Sequence, residues 1–133
     1  LSIIMKSFQE IQGKRLGLRY INVLPLKEHE SWINDKFFNA LSEHKDENTT
    51  KLLTQFEYAI NEKDVNVRLQ YGYLNPDYPS VLKNEDFTID IDAYSTGLIY
   101  LEDISKLLED MHFEDQKCFE TMITDRYRNE MNK

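Results

Sequence analysis

Two alternating runs separated only by Glu62-Lys63-Asp64 constrain this chain more than any other feature. Phe56, Tyr58 and Ile60 alternate with Gln55, Glu57 and Ala59 over about 52–61. Val65, Val67, Leu69, Tyr71 and Tyr73 then alternate with Asn66, Arg68, Gln70 and Gly72. A period of two sends successive side chains to opposite faces of a strand, and a short polar link between two such runs makes an antiparallel hairpin. Asn75-Pro76-Asp77-Tyr78-Pro79 ends the second strand, since two prolines remove backbone donors.

Two more alternations flank this hairpin. Arg15-Leu16-Gly17-Leu18-Arg19-Tyr20-Ile21-Asn22-Val23 predicts a strand over 14–24, closed by Pro25, with Leu16, Leu18, Tyr20 and Asn22 on one face. Arg15, Gly17, Arg19 and Ile21 take the other face. In Phe87–Tyr94, the residues Phe87, Ile89, Ile91 and Ala93 oppose Thr88, Asp90, Asp92 and Tyr94.

Helical spacing fills much of the rest. Ile3, Ile4, Phe8 and Ile11 predict a helix tail over 3–12, with Gly13 as its C-terminal cap. Ile33, Phe37, Ala40 and Leu41, widened by Trp32 and Phe38, predict a helix over 30–43 with Ser31 as N-cap. The run 101–131 carries Ile104, Leu107, Leu108, Met111, Cys118, Phe119, Met122, Ile123 and Tyr127 at three-and-four spacing, with Asp115 the one polar residue in the stripe. An unbroken helix there would be about 45 Å long. It must therefore bend near His112–Gln116 or protrude, exposing Met122, Ile123, Tyr127 and Met131 to a partner. The order predicts a single α+β domain over 1–133: a mostly antiparallel four-stranded sheet, helices packed on one face, and a long C-terminal helix.

The 133 residues suffice for a core, and 41% hydrophobic with 30% charged residues is ordinary for a folded domain. A net charge of −8 disfavours general nucleic-acid affinity, because neutralising phosphates needs clustered Lys and Arg. Residues 1–27 nevertheless hold five Lys or Arg against one Glu, a bias that fits a local basic surface near the first strand or, more commonly, a solvated face. No apolar run approaches the ~20 residues of a bilayer span, and the default expectation is a cytoplasmic protein. The first residue is Leu1, which reads as a piece of a longer chain with an upstream N-terminal segment missing.

Five residues stand out as a binding set: Arg15, Arg19, Arg68, Asp90 and Asp92. Asp90 and Asp92, two apart on a strand, project to one side and suit Mg²⁺ or Mn²⁺ in phosphodiester hydrolysis, with Glu57, Glu102 or Asp103 as a third oxygen donor. The simpler reading pairs these carboxylates with Arg15, Arg19 and Arg68 across strands. A third reading makes the arginines an anion site extended by Lys14 and Lys6. His29, His44 and His112 lie far apart in sequence, in no ligand-spaced motif. Cys118 reads as a small buried apolar residue, not a nucleophile. Tyr58, Tyr71 and Tyr73 fall on the core side of their strands, which favours packing over base stacking. No cofactor is implied: four glycines offer little material for a phosphate loop.

The segments Gly17-Leu18-Arg19-Tyr20-Ile21-Asn22, Asp90-Ile91-Asp92 and Phe119-Glu120-x-x-Ile123-Thr124-Asp125 occur in an order that resembles a sporadically distributed, uncharacterised prokaryotic protein family with longer members. The resemblance implies a cytoplasmic bacterial or archaeal protein and carries no catalytic residues with it. The expectation is a non-catalytic binding or assembly domain, acting through the charged sheet face and the C-terminal helix on a protein partner or a second copy of itself. The alternative is a divalent-metal phosphodiesterase built on Asp90 and Asp92.

Overall fold

The computed structural model describes residues 2–7, 14–25, 32–83, 86–97 and 99–132. Its strands are β1 (Ser2–Ser7), β2 (Lys14–Pro25), β3 (Leu52–Ile60), β4 (Val65–Tyr73) and β5 (Asp86–Gly97); its helices are α1 (Asp35–Ser42), α2 (Ile104–Met122) and α3 (Asp125–Met131). The strands form one antiparallel sheet in the order β1-β2-β5-β4-β3.

The architecture is α+β, with α2 lying across β5, β2 and β4 and α1 against β3. One-sided burial follows the period-two pattern. Leu16, Leu18, Tyr20 and Leu24 of β2 are buried on the helix side, as are Val65, Val67, Leu69, Tyr71 and Tyr73 of β4 and Phe87, Ile89, Ile91 and Ala93 of β5. Met111, Phe119 and Met122 of α2 close the same cluster from above. Each fully buried aliphatic or aromatic chain contributes on the order of 1.5–3 kcal/mol, so this layer sets the register of the sheet. In the hairpin, β3 and β4 pair from Leu52↔Tyr73 to Ile60↔Val65. A 3₁₀ turn at Asn61–Lys63 links them, with Asp64 in the left-handed region at φ 53°. Asp tolerates that conformation better than branched residues do.

The four expected strands are all present, and a fifth lies beside them. Ser2–Ser7 is strand, not the helix tail its spacing suggested, and Gly13 lies outside the described residues. The reason is tertiary: β2 pairs β5 along one side, and its other side satisfies its backbone groups by pairing with a segment that contains β-branched Ile3 and Ile4. The expected N-cap Ser31 also lies outside the described residues. Helix α1 starts later, where the Asn34 side chain accepts from the Lys36 amide at 3.2 Å.

The C-terminal stripe neither bends at His112–Gln116 nor protrudes. α2 stops at Met122, and Thr124 caps a separate α3 by accepting from the Tyr127 amide. Segment 32–34 docks into the break: Ile33 bridges Ile123, Asn34 N donates to Met122 O at 2.7 Å, and Thr124 N donates to Trp32 O at 3.0 Å. Met122 and Ile123 are therefore buried, the Tyr127 ring packs tilted against Trp32, and of the four residues expected to project Met131 alone is exposed. No helix is long and apolar enough to cross a membrane among the described residues.

Candidate functional site

The helices cover one face of the sheet, and the charged residues line the other. β5 is the central strand, and Asp92 sits directly between Arg19 of β2 and Arg68 of β4 in register. Register alone does not decide the pairing. Arg19 turns instead to Asp90, donating from Nε at 2.8 Å and Nη2 at 2.5 Å in a two-pronged fork. That fork raises the Arg19 pKa above its ordinary value, the hydrogen bonds to Asp90 outweighing partial burial. Asp92 is held by Arg15 Nη2 at 2.6 Å and, more loosely, by Arg68 Nη2 at 3.5 Å.

Arg15 reaches Asp92 because Gly17 stands between them without a side chain. Its guanidinium folds back over that glycine and lies 4.4 Å from the centre of the Tyr94 ring. Tyr94 then donates its hydroxyl to Glu57 at 3.2 Å. Burial first, and the Glu57 carboxylate next, raise the Tyr94 pKa and keep it a donor. A Cβ at position 17 would sit 2.6 Å from Arg15 Nη1, the far end of a flexible side chain. We therefore expect Gly17→Ala to displace Arg15 and not the strand, with a loss of about 1 kcal/mol in denaturant unfolding. Arg15→Ala added to Gly17→Ala should cost almost nothing further, whereas independent effects would add in full.

All five residues singled out from sequence thus share this face, and both aspartates are bound by guanidinium groups. Asp92 is fully buried beneath them, while Arg15, Arg19 and Arg68 keep 24–33% of their side chains exposed. The network is incompletely satisfied. Arg15 Nη1, Asp92 Oδ1 and Thr88 Oγ1 are buried on this face without a hydrogen-bond partner. Of the proposed third oxygen donors, Glu57 is engaged by Tyr94. Asp103 lines a separate depression between the hairpin turn and the start of α2. Among the described residues no three His, Cys, Asp or Glu side chains converge in a metal-holding group. The side chains of Lys6 and Lys14 lie outside the description.

Beside the Arg19–Asp90 fork the sheet face dips into a hollow of about 340 Å³. Arg19 and Asp90 form one wall, and Ile21, Leu53, Leu74 and Tyr78 supply an apolar floor and rim. Leu53, Leu74 and Tyr78 are exposed there. Sequence alone hides this hollow, because Leu74 and Tyr78 come from the loop after β4 and join the sheet face only in three dimensions.

Other candidates resolve structurally. Cys118 is partly buried, and burial, then the nearby Asp115 and Glu114, push its thiol up to about 11, which suppresses thiolate chemistry. His112 is exposed yet bonded through Nδ1 to the Tyr20 hydroxyl. His29 lies outside the described residues. Tyr71 and Tyr73 are buried, whereas Tyr58 faces the helix side but stays exposed at the sheet edge. No protein-family model, curated protein or solved structure matches this chain.

Proposed function

We propose that this chain is a non-catalytic binding module that docks a protein partner on the uncovered face of its sheet, centred on the hollow beside Arg19 and Asp90. The observation that carries the reading is the capture of both carboxylates by arginine. A dication brought to Asp90 and Asp92 would meet three guanidinium charges and would first have to break the fork on Asp90. What the face offers instead is a largely buried ion pair framed by exposed apolar side chains, the mixture that protein interfaces use for a buried anchor with a polar rim. Partly unsatisfied buried charge costs stability, and such a cost fits a surface kept for recognition. The segment around Met122 and Ile123 is spent on internal packing, so the sheet face carries the proposal without it.

Two measurements test this. MgCl₂ or MnCl₂ should leave the thermal midpoint unchanged, and Mn²⁺ should give no hydrolysis of bis(p-nitrophenyl) phosphate. A midpoint that rises with Mn²⁺ in the wild type but not in Asp92→Asn would hand the face to the phosphodiesterase reading. A photo-crosslinking residue at position 21, on the hollow, should capture a foreign protein in cell extract, and the same residue at position 106, exposed on α2, should not. Equal capture at both positions would remove the sheet face from consideration.

A further inference from the structure

We propose that two copies of this chain associate by antiparallel pairing of their β3 strands about a two-fold axis through Phe56, making one continuous sheet. The inference rests on the open edge of β3, which shares Leu53 with the rim of the hollow. β3 is an outermost strand, bonded to β4 along one side, and no described strand pairs with its other side. It runs nine residues, Leu52–Ile60. An open edge of this length presents a row of backbone donors and acceptors to any compatible strand.

Proteins blunt such edges with prolines, bulges, lysines or an overlying element. β3 contains no Pro, Gly or Lys, pairs with β4 without a register shift, and bears a single formal charge, Glu57. α1 touches its helix-side face but leaves much of the strand uncovered. Phe56 and Tyr58 point to the helix side, yet stay 41% and 46% exposed above an apolar groove that opens at this edge. Leu53, on the other face, is 41% exposed. The strand is thus apolar and accessible on both sides of an unpaired backbone.

The sequence of β3 selects a second copy as the occupant. Phe56 is the midpoint of the strand, so an axis there overlaps all nine residues. On the helix side Phe56 meets its symmetry mate, Thr54 meets Tyr58, and Leu52 meets Ile60. On the open side Leu53 meets Ala59, and Gln55 meets Glu57 twice, once on each side of the axis. Every apolar residue finds an apolar or amphipathic partner. Each Glu57 carboxylate receives an amide donor, one of its oxygens already taking the Tyr94 hydroxyl. Moving the axis by one residue to Glu57 would set two carboxylates face to face and is disfavoured. The charge of −8 on each copy opposes association in general, but only Glu57 of that charge lies on this strand. In the assembly the uncovered faces of both copies lie on the same side of the joined sheet.

Sedimentation equilibrium of the whole chain, over concentrations up to the millimolar range, tests the proposal. The wild type should sediment as a monomer–dimer equilibrium. Gln55→Glu places a carboxylate opposite Glu57 twice and should raise the dimer Kd about fivefold. Gln55→Lys supplies two opposite-charge pairs and should lower it by a similar factor. Gln55 is exposed, so at concentrations where the chain is monomeric both variants should keep the wild-type thermal midpoint, separating interface effects from folding. A third variant, Phe56→Lys, puts two cations on the axis and should leave only monomer. A monomer at every concentration would overturn the proposal. So would a dimer whose Kd is unmoved by the two opposite charge changes at position 55.

Discussion

Asp115→Asn should make this protein more stable at neutral pH, by on the order of 3 kcal/mol, and should flatten the fall in stability between about pH 4 and 8. Asp115 is the polar residue in the α2 stripe, and it is fully buried against the sheet. Neither of its oxygens makes a hydrogen bond of regular geometry, although the Ala93 main-chain amide lies near enough to favour the charged form slightly. Burial, followed by the negative charge of Asp92 across the strand, pushes its pKa up to about 8 from 3.8. The sign follows directly. Below pH 4 the group is protonated in folded and unfolded chains alike and costs nothing through ionisation. Between about 4 and 8 the unfolded chain ionises while the folded one does not, so stability falls by ~1.4 kcal/mol per pH unit; above 8 the loss levels off. Asparagine keeps the shape and cannot ionise. In urea unfolding from pH 5 to 9, the advantage of the variant over wild type should therefore grow with pH and then plateau. A difference that is constant across that range would mean Asp115 is ionised in the fold. Asp115→Leu should show the same pH-dependent part, which separates ionisation from the packing of the replacement.

What the chain discloses before it is folded depends on how local the cause is. The strands around Phe56, Val67, Tyr20 and Ile91 are legible because burying one face of a strand imposes a period of two on the residues themselves. β3 and β4 begin and end within a residue of where their alternation does. The gathering of Arg15, Arg19, Arg68, Asp90 and Asp92 on one face is legible for the same reason. Their partners are not. Arg19 stands opposite Asp92 yet bonds Asp90, because Arg15, passing over Gly17, already takes Asp92. Nonlocal causes also govern the two elements whose spacing misleads. Ile3 and Ile4 have helical spacing, but a neighbouring strand recruits them. The stripe of α2 continues through Ile123, but a segment ninety residues upstream bonds at Met122 and Thr124 and ends the helix there. The exposure of Phe56 and Tyr58 is likewise invisible in an alternation that reads as core, since the pattern names the face and not how far the helices extend over it.

Gly72→Ala is expected to be the most damaging conservative change in the sheet, at roughly 3 kcal/mol or more. Gly72 lies on the uncovered face between Leu53 of β3 and Thr88 of β5. A Cβ there would sit 2.1 Å from the Leu52 carbonyl oxygen and 2.9 Å from Leu53 Cα. These are main-chain atoms, which cannot rotate aside. The Leu52–Leu53 end of β3 would have to lift away from β4, breaking the ladder where the hairpin opens and uncovering Tyr73. Gly17→Ala is the internal control, because the atom in its way is the tip of Arg15. The two substitutions add the same methyl to the same sheet face, so a steric origin demands that their costs differ severalfold. Native-state hydrogen exchange should locate the damage: amides of 52–54 should exchange much faster in Gly72→Ala, while those of β2 and β5 keep their protection as long as the fold persists. Equal costs for the two glycines, or faster exchange spread evenly over the sheet, would mean that β3 does not approach β4 this closely. The full-length edge on which self-association relies would then lose its Leu52 end.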